Sequence, residues 1–256
     1  MFFVEPPPSQ YDLHFRVAGV PVRVHPMFWL VTVLMGLGRD GDPVEVLMWV
    51  VAVFACILVH ELGHVLAFQY YGMSAHVVLH GFGGLAIPSA GRWGGAGRTR
   101  ETWLADTVIS LAGPCAGFLF AGVIFLGLAL GGRSPEIAVD PDRLIYMLWQ
   151  PFPARNVNVL LWYMQFINIF WGIVNLLPVF PLDGGQVCRA VLGRFDPHHG
   201  LQQSLMISIV TAAGMAALCL LRFHANFAAI FFGYMAYQNY TLLQQISGGG
   251  FGGGRW

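Results

Sequence analysis

The sequence predicts an all-α polytopic membrane protein with about six transmembrane helices. Of its 256 residues, 56% are hydrophobic and only 10% charged, against roughly 25% charged in an ordinary soluble protein. Several apolar runs reach or exceed the roughly 20 residues a helix needs to cross a bilayer. The arginines are also shared unequally between alternate connections, as they are in membrane proteins with a fixed orientation.

Residues 1–25 form a polar, proline-bearing lead-in, where LHFRVAGVPVRVH alternates around Gly19 and predicts a short hairpin. The opening MFFVEPPPSQYD has no basic region followed by an apolar core, so a cleaved signal peptide is not expected. Six spans follow, over 26–38, 44–71, 103–130, 159–177, 201–221 and 226–245, and together they make a membrane domain of 26–245. The first is short, so covering the bilayer would take local thinning or extension at its ends. Residues 246–256 end the chain as a glycine-rich tail.

Two connections have character of their own. HVVLHGFGGLAIPSAGRWGGAGRTR (76–100) is apolar at its start and rich in glycine, which fits a β-hairpin dipping into the membrane surface or a flexible cytoplasmic loop. RSPEIAVDPDRLIYMLWQPFPARN (133–156) is punctuated by proline and expected at the interface. With the N-terminus inside, the cytoplasmic segments hold eight arginines and the outer ones five, so both termini are expected in the cytoplasm.

Net charge is zero, and nothing points to nucleic acid or to an acidic partner. Cys56, Cys115, Cys188 and Cys219 are widely spaced in or beside apolar segments and read as small buried hydrophobes.

Against this background, ILVHELGHVLAF (57–68) places two histidines and a glutamate inside a span. Ionisable groups there are costly and mark functional sites. His60 and His64, at i and i+4, share one helix face and can present both imidazoles to one cation. Glu61 follows the first ligand and is close enough to take a proton from water without ligating. Zinc suits these donors, and a catalytic zinc keeps three protein ligands and one open position.

The candidate third ligand is Asp183, in NLLPVFPLDGG (175–185) at the end of the fourth span. Spans two and four run in the same direction, so their later parts approach the same membrane face. His60 lies about 26 Å along its helix from Pro43 at ~1.5 Å per residue, toward the cytoplasmic side. Pro178 and Pro181 break the fourth helix, and Gly184 and Gly185 allow a tight approach before a new helix near Gln186. The plainer alternative for Asp183 is a helix-capping or turn residue.

HELGH within a span followed by NLLPVFPLDGG resembles the site-2 protease family of intramembrane zinc metalloproteases. VAGVPVRVHP before the first span, GFGGLA (81–86) and SLAGPCAG (110–117) extend the likeness over most of the chain. GFGGLA is similar to that family's small membrane-associated β-hairpin. Many members have asparagine where Gly117 stands. The resemblance implies that His60, His64 and Asp183 bind one zinc ion per chain, that Glu61 is the catalytic base, and that Asn175 helps stabilise the oxyanion.

It also implies a zinc metalloendopeptidase of a prokaryotic cell membrane. Such an enzyme cleaves peptide bonds within or near the transmembrane segments of membrane-protein substrates, as in regulated intramembrane proteolysis. Lipid bilayer and a membrane-spanning protein are the expected partners; no nucleotide is. An edge strand within 76–90 could hold the unwound substrate by strand addition. Two rivals remain at this point, an ion-path transporter and a catalytically silent relative that binds membrane partners.

Weaker signals read as local structure. His76 and His80 are taken as loop histidines, His198 and His199 as turn residues, and Asp106 as a helix-end charge. Gly113 and Gly117 form a small-xxx-small packing pair.

Overall fold

The computed structural model describes residues 5–37, 42–81, 83–89, 103–140 and 144–248. By its contacts the chain divides into two compact units, Met1–Thr99 with Ala112–Ile173, and Arg100–Leu111 with Val174–Trp256.

The first unit opens on the hairpin its alternation predicts. Strands β1 (Leu13–Val17) and β2 (Val20–Val24) pair antiparallel across Ala18 and Gly19, whose φ values of 48° and 83° are both positive. Two positive φ values in a two-residue loop match the twist of the flanking strands. After helices α1 (Pro26–Leu37) and α2 (Pro43–Tyr70), strand β3 (Ala75–His80) pairs in parallel with β2 and antiparallel with β4 (Gly83–Pro88). The sheet order is β1-β2-β3-β4, which leaves β4 at an edge. GGLA (83–86) of this motif therefore lies on a strand antiparallel to β3, as the hairpin implied by the resemblance would have it, and that pair belongs to a four-stranded sheet. The part of this connection over 90–100 lies outside the described residues.

Asp42 caps α2 by accepting from the backbone N–H of Val44, and Pro43 occupies the first turn, where its missing N–H costs nothing. One face of α2 buries Ile57, Leu58 and Val65 with Val22, Val24, Val77 and Leu79 of the sheet and Phe28 of α1. The opposite face buries Trp49, Ala52 and Cys56 with Tyr163 and Ile167 of α4 (Arg155–Asn175). A helix with two buried faces cannot turn on its axis, so the direction of its remaining side chains is fixed.

Helix α3 (Trp103–Leu130) carries Pro114 in its interior and gives its first turns to the second unit. The connection over 133–156, expected from its sequence to be a proline-punctuated interfacial segment, contains two antiparallel strands, β5 (Glu136–Asp140) and β6 (Leu144–Leu148).

The second unit holds α5 (Asp183–Phe195), α6 (Gly200–Leu221) and α7 (Asn226–Gly248). Helix α5 starts at Asp183, three residues before the expected start, because both glycines take helical backbone in its first turn. Helix α7 runs past 245 to Gly248, and residues 249–256 of the expected tail lie outside the described residues.

Among the described residues, four helices are long and apolar enough to cross a membrane: α2, α3, α4 and α6. Helix α1 is apolar and shorter.

Candidate metal centre

His60, Glu61 and His64 are all buried on α2. The Nε2 atoms of His60 and His64 lie 3.2 Å apart, with the rings at 77° to one another. Two zinc ligands at roughly 2.0–2.1 Å in a tetrahedral arrangement stand ~3.3 Å apart. The imidazole pair therefore already has the spacing of a tetrahedral edge.

Two glycines make room for this cluster. A Cβ on Gly113 of α3 would come within 2.2 Å of His64 Nε2 and 2.7 Å of His60 Nε2. No side chain fits there, so α3 backs the imidazoles with bare backbone. A Cβ on Gly84 of β4 would meet Glu61 Cγ at 2.3 Å and Oε1 at 2.6 Å. The carboxylate of Glu61 thus lies directly on the edge strand.

A third glycine explains the close approach of α3. On Gly63 of α2, a Cβ would stand 2.5 Å from the carbonyl oxygen of Ala112 and 2.6 Å from Ala116 Cβ. Sequence reasoning read Gly113 and Gly117 alike, as packing residues. They differ: Gly113 touches the ligands, whereas Gly117 has only ordinary contact with Asn168. Spacing could not separate them, because both lie on the face α3 turns inward.

Asp183 stands in the first turn of α5, after Leu182, which makes no side-chain cap. Its segment is folded tightly on itself. A Cβ on Gly184 would reach 2.1 Å from the carbonyl oxygen of Leu176, and one on Gly185 would reach 2.4 Å from Phe180 N. Asn175, the last residue of α4, is buried. His60 and His64 belong to the first unit and Asp183 to the second. Two neutral imidazoles and a carboxylate are a donor set that zinc takes.

His76, His80, His198 and His199 lie outside α2 and α5. His76, on β3, has Nε2 3.8 Å from Glu5 Oε1. His80 is buried at the end of β3, where burial, and then the charges of His25 and Arg23, push its imidazole below its ordinary pKa. His198 and His199 form a turn whose backbone N–H groups both donate to Asp196 Oδ1. Arg23 binds Asp12 at 3.0 Å and Glu5 at 2.7 Å, tying the N-terminal lead-in to β2.

Most of the chain is similar to known proteins. Residues 48–221 match the model of peptidase family M50. The zinc metalloprotease MJ0392 of Methanocaldococcus jannaschii is 25% identical over 213 residues, covering 81% of this chain and 52% of that protein. The Rip3 protein of Mycobacterium tuberculosis is 29% identical over 226 residues, covering 80% of this chain and 49% of its own. The chain thus spans about half the length of the curated relatives it matches. The solved site-2 protease from Methanocaldococcus jannaschii superposes with a TM-score of 0.57 at 21% identity, over 90% of this chain and 95% of the other, a likeness of fold. With the family model covering most of the sequence and four helices able to span a bilayer, this chain is an integral membrane protein belonging to peptidase family M50, the site-2 protease family.

Proposed function

We propose that this chain is an intramembrane zinc endopeptidase in which His60, His64 and Asp183 hold the metal and Glu61 is the general base. The observation that carries the reading is the placement of Glu61 beside two convergent imidazoles and against the backbone of an edge strand. A pair of metal-ligating imidazoles, a base and a peptide-sized edge in one place are the parts that amide hydrolysis needs. An ion path calls for ionisable groups spread along the membrane normal, and here they are confined to a few positions.

Zinc, when bound, supplies a Lewis acid for the peptide carbonyl and for water. The chain does the rest. His60 and His64 present their Nε2 atoms, and Asp183 brings the negative charge that balances the cation. Glu61 takes the proton of the attacking water and returns it to the leaving amine. Asn175 donates from its amide to the developing oxyanion. Strand β4 receives the substrate as an added strand, which requires a locally unwound segment, because a helical amide is hydrogen-bonded to its own helix.

The substrate class that fits is a membrane-spanning protein cut within or near its transmembrane segment. Helices α1 and α7 complete six crossings, with both termini in the cytoplasm, the orientation that the arginine distribution favours. A prokaryotic cell membrane is the expected setting.

Reconstitution of the purified protein with a model single-span substrate tests the reading. Cleavage is expected, with Glu61→Gln slower by about 10²–10⁴-fold while its zinc content stays that of the unaltered chain. Full turnover in Glu61→Gln, or ion flux without cleavage, would overturn the proposal.

A further inference from the structure

The segment that carries Asp183 is held by side chains from helices that take no part in the chemistry. Phe180 lies in the loop between α4 and α5, where neither its N–H nor its carbonyl has a helical partner. Its backbone N–H donates to Ser208 Oγ of α6 at 3.0 Å. Its carbonyl accepts from Asn239 Nδ2 of α7 at 2.7 Å.

Both polar side chains are themselves anchored one turn back along their helices. Ser208 Oγ donates to the carbonyl of Ser204 at 2.8 Å, and Asn239 Nδ2 donates its other hydrogen to the carbonyl of Met235, also at 2.8 Å. The hydroxyl's one proton goes to Ser204 and an acceptor lone pair to Phe180, while both amide protons of Asn239 are used. Each side chain is only 1% exposed. A polar group so buried is costly unless it is bonded, and here the bonding is directed at a single loop residue from two sides.

The clamp leads directly to the carboxylate. Leu182 N donates to the carbonyl of Val179 at 2.8 Å, closing the turn that spans Phe180. Gly185, in the same helical turn as Asp183, lies against Phe180 N so closely that a Cβ would stand 2.4 Å away. Only two residues, Pro181 and Leu182, separate the clamped backbone from Asp183. Shifting Phe180 shifts the first turn of α5.

We propose that Ser208 and Asn239 are positioning residues for the metal ligand: by fixing both backbone polar groups of Phe180, they set where the carboxylate of Asp183 emerges. This rests on the reading of Asp183 as a zinc ligand. Loss of a supporting hydrogen bond behind a ligand typically weakens metal binding by about 10–100-fold.

The test measures zinc affinity by chelator competition, together with the visible spectrum of the cobalt-substituted protein, on the full chain in detergent. Ser208→Ala and Asn239→Leu are expected to weaken zinc by about 10–100-fold and to alter the cobalt spectrum. Ser208→Thr, which keeps the hydroxyl, is expected to restore both. Leu205→Ala, a buried α6 change that removes neither hydrogen bond to Phe180, should lower thermal stability with zinc affinity unchanged. The proposal is overturned if Ser208→Ala binds zinc as tightly as the unaltered chain, or if Leu205→Ala weakens it equally. Should Asn239→Leu fail to fold, the Ser208→Ala and Ser208→Thr pair decides. Asp183→Ala separates the two levels: if it too keeps full zinc affinity, the ligand assignment has failed, whereas its loss beside an unaffected Ser208→Ala defeats the clamp alone.

Discussion

Single atoms decide what the histidine pair and the glutamate can do. Gly113 and Gly84 act through the side chains they lack. Gly84→Ala would drive a methyl group into Glu61 Cγ, 2.3 Å away, and turn the base off the edge strand. The expected outcome is an activity loss of about 10²–10⁴-fold, the contribution of a general base, with zinc still bound, read from cleavage assays and metal analysis on one preparation. Gly113→Ala should do the reverse. Its methyl would collide with both Nε2 atoms, so zinc content itself should fall, and a fully loaded Gly113→Ala protein would contradict the placement of α3. The two histidines and the glutamate were legible in the sequence as a cluster because HELGH keeps them within one helical turn and a half. The glycines were legible only as small residues. Their function depends on which atoms the partner element brings opposite them, and no local pattern encodes that.

Packing of whole elements holds the site at this geometry. Helix α2 is fixed between the sheet on one face and α4 on the other, and Gly63 lets the backbone of α3 come within contact of it. Gly63→Ala must separate the two helices or strain them, costing about 1–3 kcal/mol in equilibrium unfolding in detergent; an unchanged midpoint would argue against so close a crossing. The sheet has its own pH dependence. His80 is buried with a depressed pKa, so the fold favours the neutral imidazole. Its contribution is full above the unfolded value near ~6.5 and is lost as pH falls through the folded value. Stability should therefore hold above about pH 6.5 and drop as the pH falls below it, and His80→Gln should flatten that drop; an identical slope in the variant would remove His80 as its source. Alternation around Gly19 predicted the first hairpin, because a two-residue turn is a local event. The parallel pairing of β2 with β3 was not readable, since it joins strands separated by two helices. The early start of α5 was missed for a related reason: a Gly-Gly pair reads as a turn until the backbone packed against it is known.

For the molecule as a whole, composition was a sufficient guide to the membrane, and four helices meet the length and apolarity a crossing needs. Helix α1, with 12 residues, is only ~18 Å long against a hydrocarbon core of about 30 Å, so its ends must lie near protein or thinned bilayer. Helix α7 is long enough but polar along its later half, where Gln238 and Asn239 fall, and its polarity serves the loop before α5. That exchange of apolarity for a clamp explains why a span count from hydropathy is least certain at the two ends of the domain. The account depends most on one statement, that side chains distant in sequence share a single metal ion. The direct test is zinc stoichiometry of the purified full chain after dialysis against a weak chelator, compared among the unaltered protein, His60→Ala and Asp183→Ala. The account predicts one zinc per chain in the first and its loss from both variants while their helical content is kept. An Asp183→Ala protein that holds one zinc as firmly as the unaltered chain would contradict it.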